Sequence, residues 1–403
     1  KDSGVDWLGQ VPAHWEVKPL KHIAGIDSCG SYGAEPEGAE VVLPVATTAQ
    51  IDSDGRFAVD SMPHRGFVPA EVERYRCSDG DILVVKSSGS ATNIISGKAG
   101  LVDGTTPPFV FSNFLLRVRS IREQAIPKFL YYQLRSHLTR QRVELMCSTT
   151  TYPNLQVGEY TSAPLPVPPL PEQREIAGFL DRETGKIDAL VAEQERLLEL
   201  LKEKRQAVIS HAVTRGLNPN APLKPSGLDW LGDVPAHWEV SALRHSLKSL
   251  FNGITADQVD ETELTVPVTR IETISSGNID ESRLGFISAG DARDDRLLLV
   301  GDILFSNINS LSMIGNCAFY FGGRAIYAGM NLLVLRPAPT RDARWLYWLV
   351  RSGVFREVVE SLAKPAINQA SISQSSLNGI GIAVPPLAEQ RAIVAHLDAA
   401  TAQ

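Results

Sequence analysis

Residues 7–17 read WLGQVPAHWEV, and residues 230–240 read WLGDVPAHWEV: one peptide, written twice, with a single change. The offset of 223 residues is far longer than any solenoid repeat, so a whole domain is duplicated rather than a hairpin or a helix pair. Working outward, other landmarks return in the same order. Gly80-Asp81-Ile82-Leu83 recurs as Gly301-Asp302-Ile303-Leu304, and Asn113-Phe114-Leu115-Leu116 is matched to Asn331-Leu332-Leu333-Val334. Residues 168–174, PPLPEQR, return as residues 385–391, PPLAEQR, with the offset shrunk to 217 by small loop deletions. Between these landmarks the copies diverge, as two modules would that keep one job and differ in target.

Period and punctuation give each copy its coarse structure. Residues 20–125 hold short β-rich segments such as EVVLPVA, GDILVVKSS and NFLLRVRS, separated by Gly, Pro, Ser and Asp. From Pro127 to about Met146 the pattern turns helical, with Phe129, Leu130, Leu134 and Leu138 on one face, and Trp345 to Leu362 is its counterpart. After the hinge LPVPPLP, Pro171 with Glu172 and Gln173 suits a helix start. Leu180, Ile187, Gln194, Leu201 and Val208 then fall seven apart, joined by Leu190 and Leu197, which is a heptad seam; Val191 and Leu198 widen it. Residues 186–215 would form a rod of about 45 Å at ~1.5 Å per residue, with Gly185 a point where it could kink. The offset places the counterpart of Ile187 at 404, so a second rod is expected to start where the given sequence stops.

The chain has 403 residues, 43% hydrophobic and 21% charged, which excludes a disordered or collagenous protein and allows two or three domains at ~150 residues each. No apolar run approaches the ~20 residues that span a bilayer, and no signal-peptide core opens the sequence. A cytoplasmic protein is expected. Cys29, Cys77, Cys147 and Cys317 lie far apart with no CxxC pair, so they read as buried small hydrophobes and not as a zinc or disulfide framework.

No enzymatic motif survives inspection. Thr106-Pro107-Pro108-Phe109 resembles the loop of amino-methyltransferases, but threonine lacks the carbonyl that loop uses, so the segment reads as a turn before a strand. Gly97-Lys98-Ala99 resembles the end of a phosphate loop, yet Thr92 stands where its first glycine belongs and Ala99 cannot ligate magnesium. His14 and His237 have no neighbouring nucleophile and read as structural, and Trp15 and Trp238 as plugs at a domain edge.

The net charge of −7 argues against binding nucleic acid by bulk electrostatics. Residues 18–165 carry fifteen basic and fifteen acidic side chains, and residues 240–384 thirteen and fourteen. Any such binding must be local. After GDIL the first copy continues with Lys86, Ser87, Ser88, Ser90, Thr92, Asn93 and then Lys98, and the second with Ser306, Asn307, Asn309, Ser310 and Ser312. Small hydroxyl and amide groups at one point in both copies are suited to base edges and phosphates. A second candidate surface joins Arg140 and Arg142 to Thr149, Thr150, Thr151, Tyr152 and Asn154, paralleled by Lys364, Asn368, Gln369 and Ser371.

Twin WLG-x-VPAHWEV peptides, twin PPL-x-EQR helix starts and a heptad rod between divergent modules together resemble the specificity subunits of type I restriction-modification enzymes. The resemblance implies an α+β fold: two tandem duplicated α/β target recognition domains separated by long coiled-coil-like helices. It places the first recognition domain at residues 1–165, a conserved helical spacer at 166–226, the second recognition domain at 227–384 and the start of a second helical region at 385–403. It also implies a non-catalytic chain that reads a bipartite site in double-stranded DNA. Two modification subunits would bring S-adenosylmethionine and methylate adenine, and restriction subunits in the full complex would use ATP and Mg. This chain itself would bind none of those cofactors, no metal and no membrane. The alternatives are a scaffold whose paired modules bind proteins and a self-contained DNA methyltransferase.

Overall fold

The computed structural model describes residues 1–401 except 88, 91, 92, 149–152, 276, 312, 367 and 368. The chain forms two compact units, residues 1–192 and 193–403.

In the first unit the core sheet has four antiparallel strands in the order Ala24–Asp27, Leu115–Ser120, Asp81–Val85, Ala99–Leu101. The second unit repeats that order with Leu247–Asn252, Leu332–Pro337, Ile303–Ser306 and Cys317–Phe319. The duplication read from short peptides is therefore a duplication of topology.

The GDIL peptide opens the central strand in each unit, and each of its residues has a job. Gly80 and Gly301 take the left-handed conformation, with φ of 84° and 96°, that turns the chain into the strand. Asp81 and Asp302 are both 1% exposed. Arg119 donates to Asp81 at 2.7 and 2.8 Å, and Arg336 donates to Asp302 at 2.8 and 2.7 Å, each pair bidentate across adjacent strands. The carboxylates hold both guanidiniums above their ordinary pKa. Strand alternation then sends Ile82 and Val84 toward the helices, among Leu130, Leu134 and Val143, and Leu83 and Val85 toward Phe109 and Phe111. In the second unit Ile303 and Phe305 face Trp345, Leu349 and Phe355, while Leu304 faces Ile274 and Tyr320.

The strand register corrects one alignment. Leu115 pairs with Val85 and Leu332 with Ser306, so Leu115 corresponds to Leu332, not to Leu333. A shift by one would have sent every side chain to the wrong face.

Each predicted helical stretch is broken in the middle. Helices Pro127–Arg135 and His137–Met146 meet at Ser136, and Ala343–Arg351 and Gly353–Leu362 meet at Ser352. Each serine leaves helical geometry and caps the second helix, Ser136 accepting from Thr139 N and Ser352 from Phe355 N, both at 3.3 Å. The break takes Leu138 off the expected apolar face, and it is exposed.

The PPL-x-EQR landmark ties helix to module. Glu172 accepts from His14 Nε2 at 2.8 Å and Trp15 Nε1 at 3.0 Å, and Glu389 accepts from His237 and Trp238 at 2.8 and 3.1 Å. The repeated histidine and tryptophan are thus the partners of the repeated glutamate, and hydrogen bonding from His14 holds the Glu172 carboxyl below its ordinary range. Trp238 is fully buried, whereas Trp15 is half-buried. Gln173, 0% exposed, accepts from Ile126 N and donates to the carbonyls of Gln124 and Pro168. Gln390 does the same with Asp342 N and Pro385 O. About two turns further on, Asp181 takes Lys128 and Tyr132, and Asp398 takes Arg344 and Trp348.

The helix that follows runs unbroken from Leu170 to Arg215, through Gly185. Ile187, Leu190, Val191, Leu197, Leu198 and Leu201 of its seam are exposed, and Ile209, Ala212 and Val213 enter the core of the second unit. No helix among the described residues is long and apolar enough to cross a membrane. Cys77, Cys147 and Cys317 are buried as expected, but Cys29 is exposed.

Candidate nucleic-acid interface

The two candidate surfaces are one surface in each unit. In the first, the chain leaves Asp81–Val85 through Lys86 and Ser87 and makes a hairpin of Gly89–Ser90 with Asn93–Ile94. Some sixty residues later, Cys147–Ser148 pairs with Asn154–Leu155. The two segments join: Leu155 N donates to Lys86 O at 2.8 Å, and Ser87 bridges Asn154. In the second unit Ile308–Asn309 pairs with Gln369–Ser371, which in turn pairs with Lys364–Ala366. Ile372 N donates to Asn307 O at 2.9 Å, the counterpart of the Leu155 bond.

Burial sorts the candidates. Asn93, Arg142, Asn154, Lys364 and Gln369 are exposed, and Ser87, Asn309, Ser310 and Ser371 are half-buried. Ser306 and Asn307 are buried, at 0% and 8% exposure, and Ser306 Oγ accepts from Asn309 Nδ2 at 3.3 Å. Those two build the base of the loop; Asn307 Oδ1 is an orphan acceptor inside it. Three cations are spent partly on backbone carbonyls: Lys86 on Ser28 at 3.0 Å, Lys98 on Ile51 at 2.5 Å, and Arg140 on Ile94 and Ser96. Ser88, Thr92, Thr149, Thr150, Thr151, Tyr152, Ser312 and Asn368, and the side chain of Ser90, lie outside the described residues.

A repeated clamp lies beside this surface, at residues outside the sequence-predicted candidates, with Lys98 and Arg140 as neighbours in the first unit. Tyr131 and Arg135 reach the carbonyl of Asp54, and Arg135 also takes Ser53 O at 3.0 Å. Tyr347 reaches Gly277 O at 3.2 Å, with Arg351 donating to the Tyr347 hydroxyl as Arg135 does to Tyr131. The spacing Tyr-x-x-x-Arg in both copies, 216 residues apart, was the available signal.

Among the described residues, no group of His, Cys, Asp and Glu could hold a metal ion. What the fold presents twice is a polar, loop-built surface joined to the segment that leaves the central strand, with different side chains on a common frame. Residues 12–199 match the family model described as the type I restriction modification DNA specificity domain. Over 406 residues the chain is 25% identical to the type I restriction enzyme EcoKI specificity subunit of Escherichia coli K12, covering 97% of this chain and 82% of that protein. A 169-residue stretch is 40% identical to the protein assigned as the MjaX type I restriction specificity subunit of Methanocaldococcus jannaschii, over 40% of this chain and 39% of that one. A solved chain from work on complex assembly and conformational transition of the type I R-M system has the same fold, with a TM-score of 0.69 at 18% identity over 98% of this chain and 92% of its own. By these matches the chain is similar to type I restriction-modification specificity subunits along most of its length.

Proposed function

We propose that the chain is the DNA-reading, non-catalytic subunit of a type I restriction-modification complex, each unit recognising one half of a bipartite site in duplex DNA. The observation that carries this reading is the surface built twice at one point of the fold, where the segment after the central strand is stitched to the segment after the helix pair. Backbone pairing fixes the frame while side chains such as Asn93 and Asn154, or Asn309 and Gln369, are free to differ between units. Amide side chains of this kind can make a bidentate pair with an adenine edge, donating to N7 and accepting from N6–H, which is how one frame reads different sequences.

Methyl transfer from S-adenosylmethionine belongs in this reading to two modification subunits, and ATP- and Mg-dependent restriction to further partners, all in the cytoplasm. Balanced charge in each module means that most of the affinity for phosphate comes from the assembled complex. The test is the methylome of cells with and without the gene. Loss of one bipartite adenine motif on deletion supports the reading, and an unchanged methylome in cells that express the modification partner refutes it.

A further inference from the structure

Each unit has a cleft beside its helix pair, and the two share corresponding lining residues, although the second is also lined by Gln206 of the long helix while the first is lined by Ile94 and Ile95 of the hairpin segment. In the first unit a cavity of about 330 Å³ is lined by Ser53, Gly97, Lys98, Arg135 and Arg140. In the second a cavity of about 200 Å³ is lined by Ser275, Gly315, Asn316, Arg351 and Arg356. Gly97 and Gly315 both have φ of 81° and both donate to the last residue of the central strand, Val85 O and Ser306 O. A Cβ at Gly97 would collide with Val143. The arginines hold the walls in place: Arg140 reaches the carbonyls of Ile94 and Ser96, and Arg356 reaches Asn316 Oδ1 at 3.1 Å.

Clamping a carbonyl needs a donor but does not need a net charge. Here the charge is left over. Among the described residues, the lining of neither cleft includes a carboxylate. Among the described residues neither Lys98, Arg135 nor Arg351 has an ion-pair partner, in a chain whose net charge is −7. Lys98 uses one of three N–H groups on Ile51 O, and Arg351 uses one nitrogen on the Tyr347 hydroxyl. Fixed, uncompensated cations facing a concavity are what an anion requires. The wall residues Ile94 and Ile95 continue directly from the Asn93–Ile94 strand of the hairpin, so a duplex engaged by that hairpin brings its backbone to the cleft.

We propose that the paired clefts are phosphodiester-anchoring sites for the DNA backbone, one in each module. Lys98 and Arg135 supply the charge in the first and Arg351 in the second; Arg140 and Arg356 are positioning residues. The proposal rests on the DNA-reading assignment above and deepens it.

The test uses the chain assembled with its modification partner, a duplex carrying the motif found in the methylome, and a duplex of equal length with that motif scrambled. Equilibrium binding is measured from 50 to 200 mM KCl for wild type, Lys98→Gln, Lys98→Arg and Arg351→Gln. Each Gln variant is expected to lower the slope of log K against log salt by about 0.9, so that its deficit shrinks about 3.5-fold across that range. The deficit should be equal on both duplexes, and Lys98→Arg should keep the wild-type slope. An unchanged slope, or a deficit confined to the motif duplex, overturns the proposal and makes these residues loop-positioning groups only. A wild-type complex with no preference for the motif duplex sinks the DNA-reading assignment instead. The two Gln variants lie in separate units, so if one unfolds the other still decides.

Discussion

Replacing Gln173 by Met keeps the volume of a fully buried side chain and removes three hydrogen bonds: from Ile126 N at 2.9 Å, and to Gln124 O and Pro168 O at 3.0 and 2.8 Å. The orphaned Ile126 N–H dominates the cost, because a carbonyl has a second lone pair and an amide proton has no second position. At about 1–3 kcal/mol for each buried group left unpaired, the loss should total about 2–4 kcal/mol. Two units in one chain make a single unfolding free energy ill-defined, so hydrogen exchange at the Ile126 amide is the better assay. A loss of that size speeds its exchange roughly 30- to 700-fold. Asp342, held by Gln390 in the other unit at 2.8 Å, provides the internal control and should not change. In Gln390→Met the two amides should exchange roles. An Ile126 rate within threefold of wild type would refute the idea that this glutamine ties the long helix to its module.

Asp302→Ala strands the Arg336 guanidinium and Leu299 N and should destabilise the second unit by about 3 kcal/mol, the discount reflecting the 18% exposure of Arg336; urea unfolding followed by Trp fluorescence would show it. Exchanging residues 18–165 for another family member's module should change one half of the methylated motif and leave the other, because Lys18 pairs directly with Leu165 and the cassette enters and leaves on adjacent strands; methylome sequencing showing both halves changed would count against separate readers. Iodoacetamide at pH 8 should modify Cys29 and spare the other cysteines, since burial pushes the Cys317 thiol up to about 12 and raises Cys77 and Cys147 too, and peptide mass spectrometry would read the outcome.

Duplication, the long helix and the framework peptides were legible because each is a local pattern repeated. The heptads of residues 180–208 announce a helix, and twin PEQR and AEQR starts announce equivalent helix ends. The helix break at Ser136 was less visible, since apolar spacing runs through it and only cap geometry reveals it. The slipped match of Asn113 to Asn331 shows the same limit: similar letters aligned, but strand register decided which leucines share a face.

From the linear chain alone follow the two modules, their order and the polar loops after Leu83 and Leu304, because propensity, period and repetition act over a few residues. Tertiary structure alone decides that Ser87 meets Asn154, that Ser306 and Asn307 lie beneath the loop they were expected to present, and that Lys98 and Arg135 share a cleft. Those contacts join segments some forty to seventy residues apart. They are set by packing on the sheet, and no local preference encodes them.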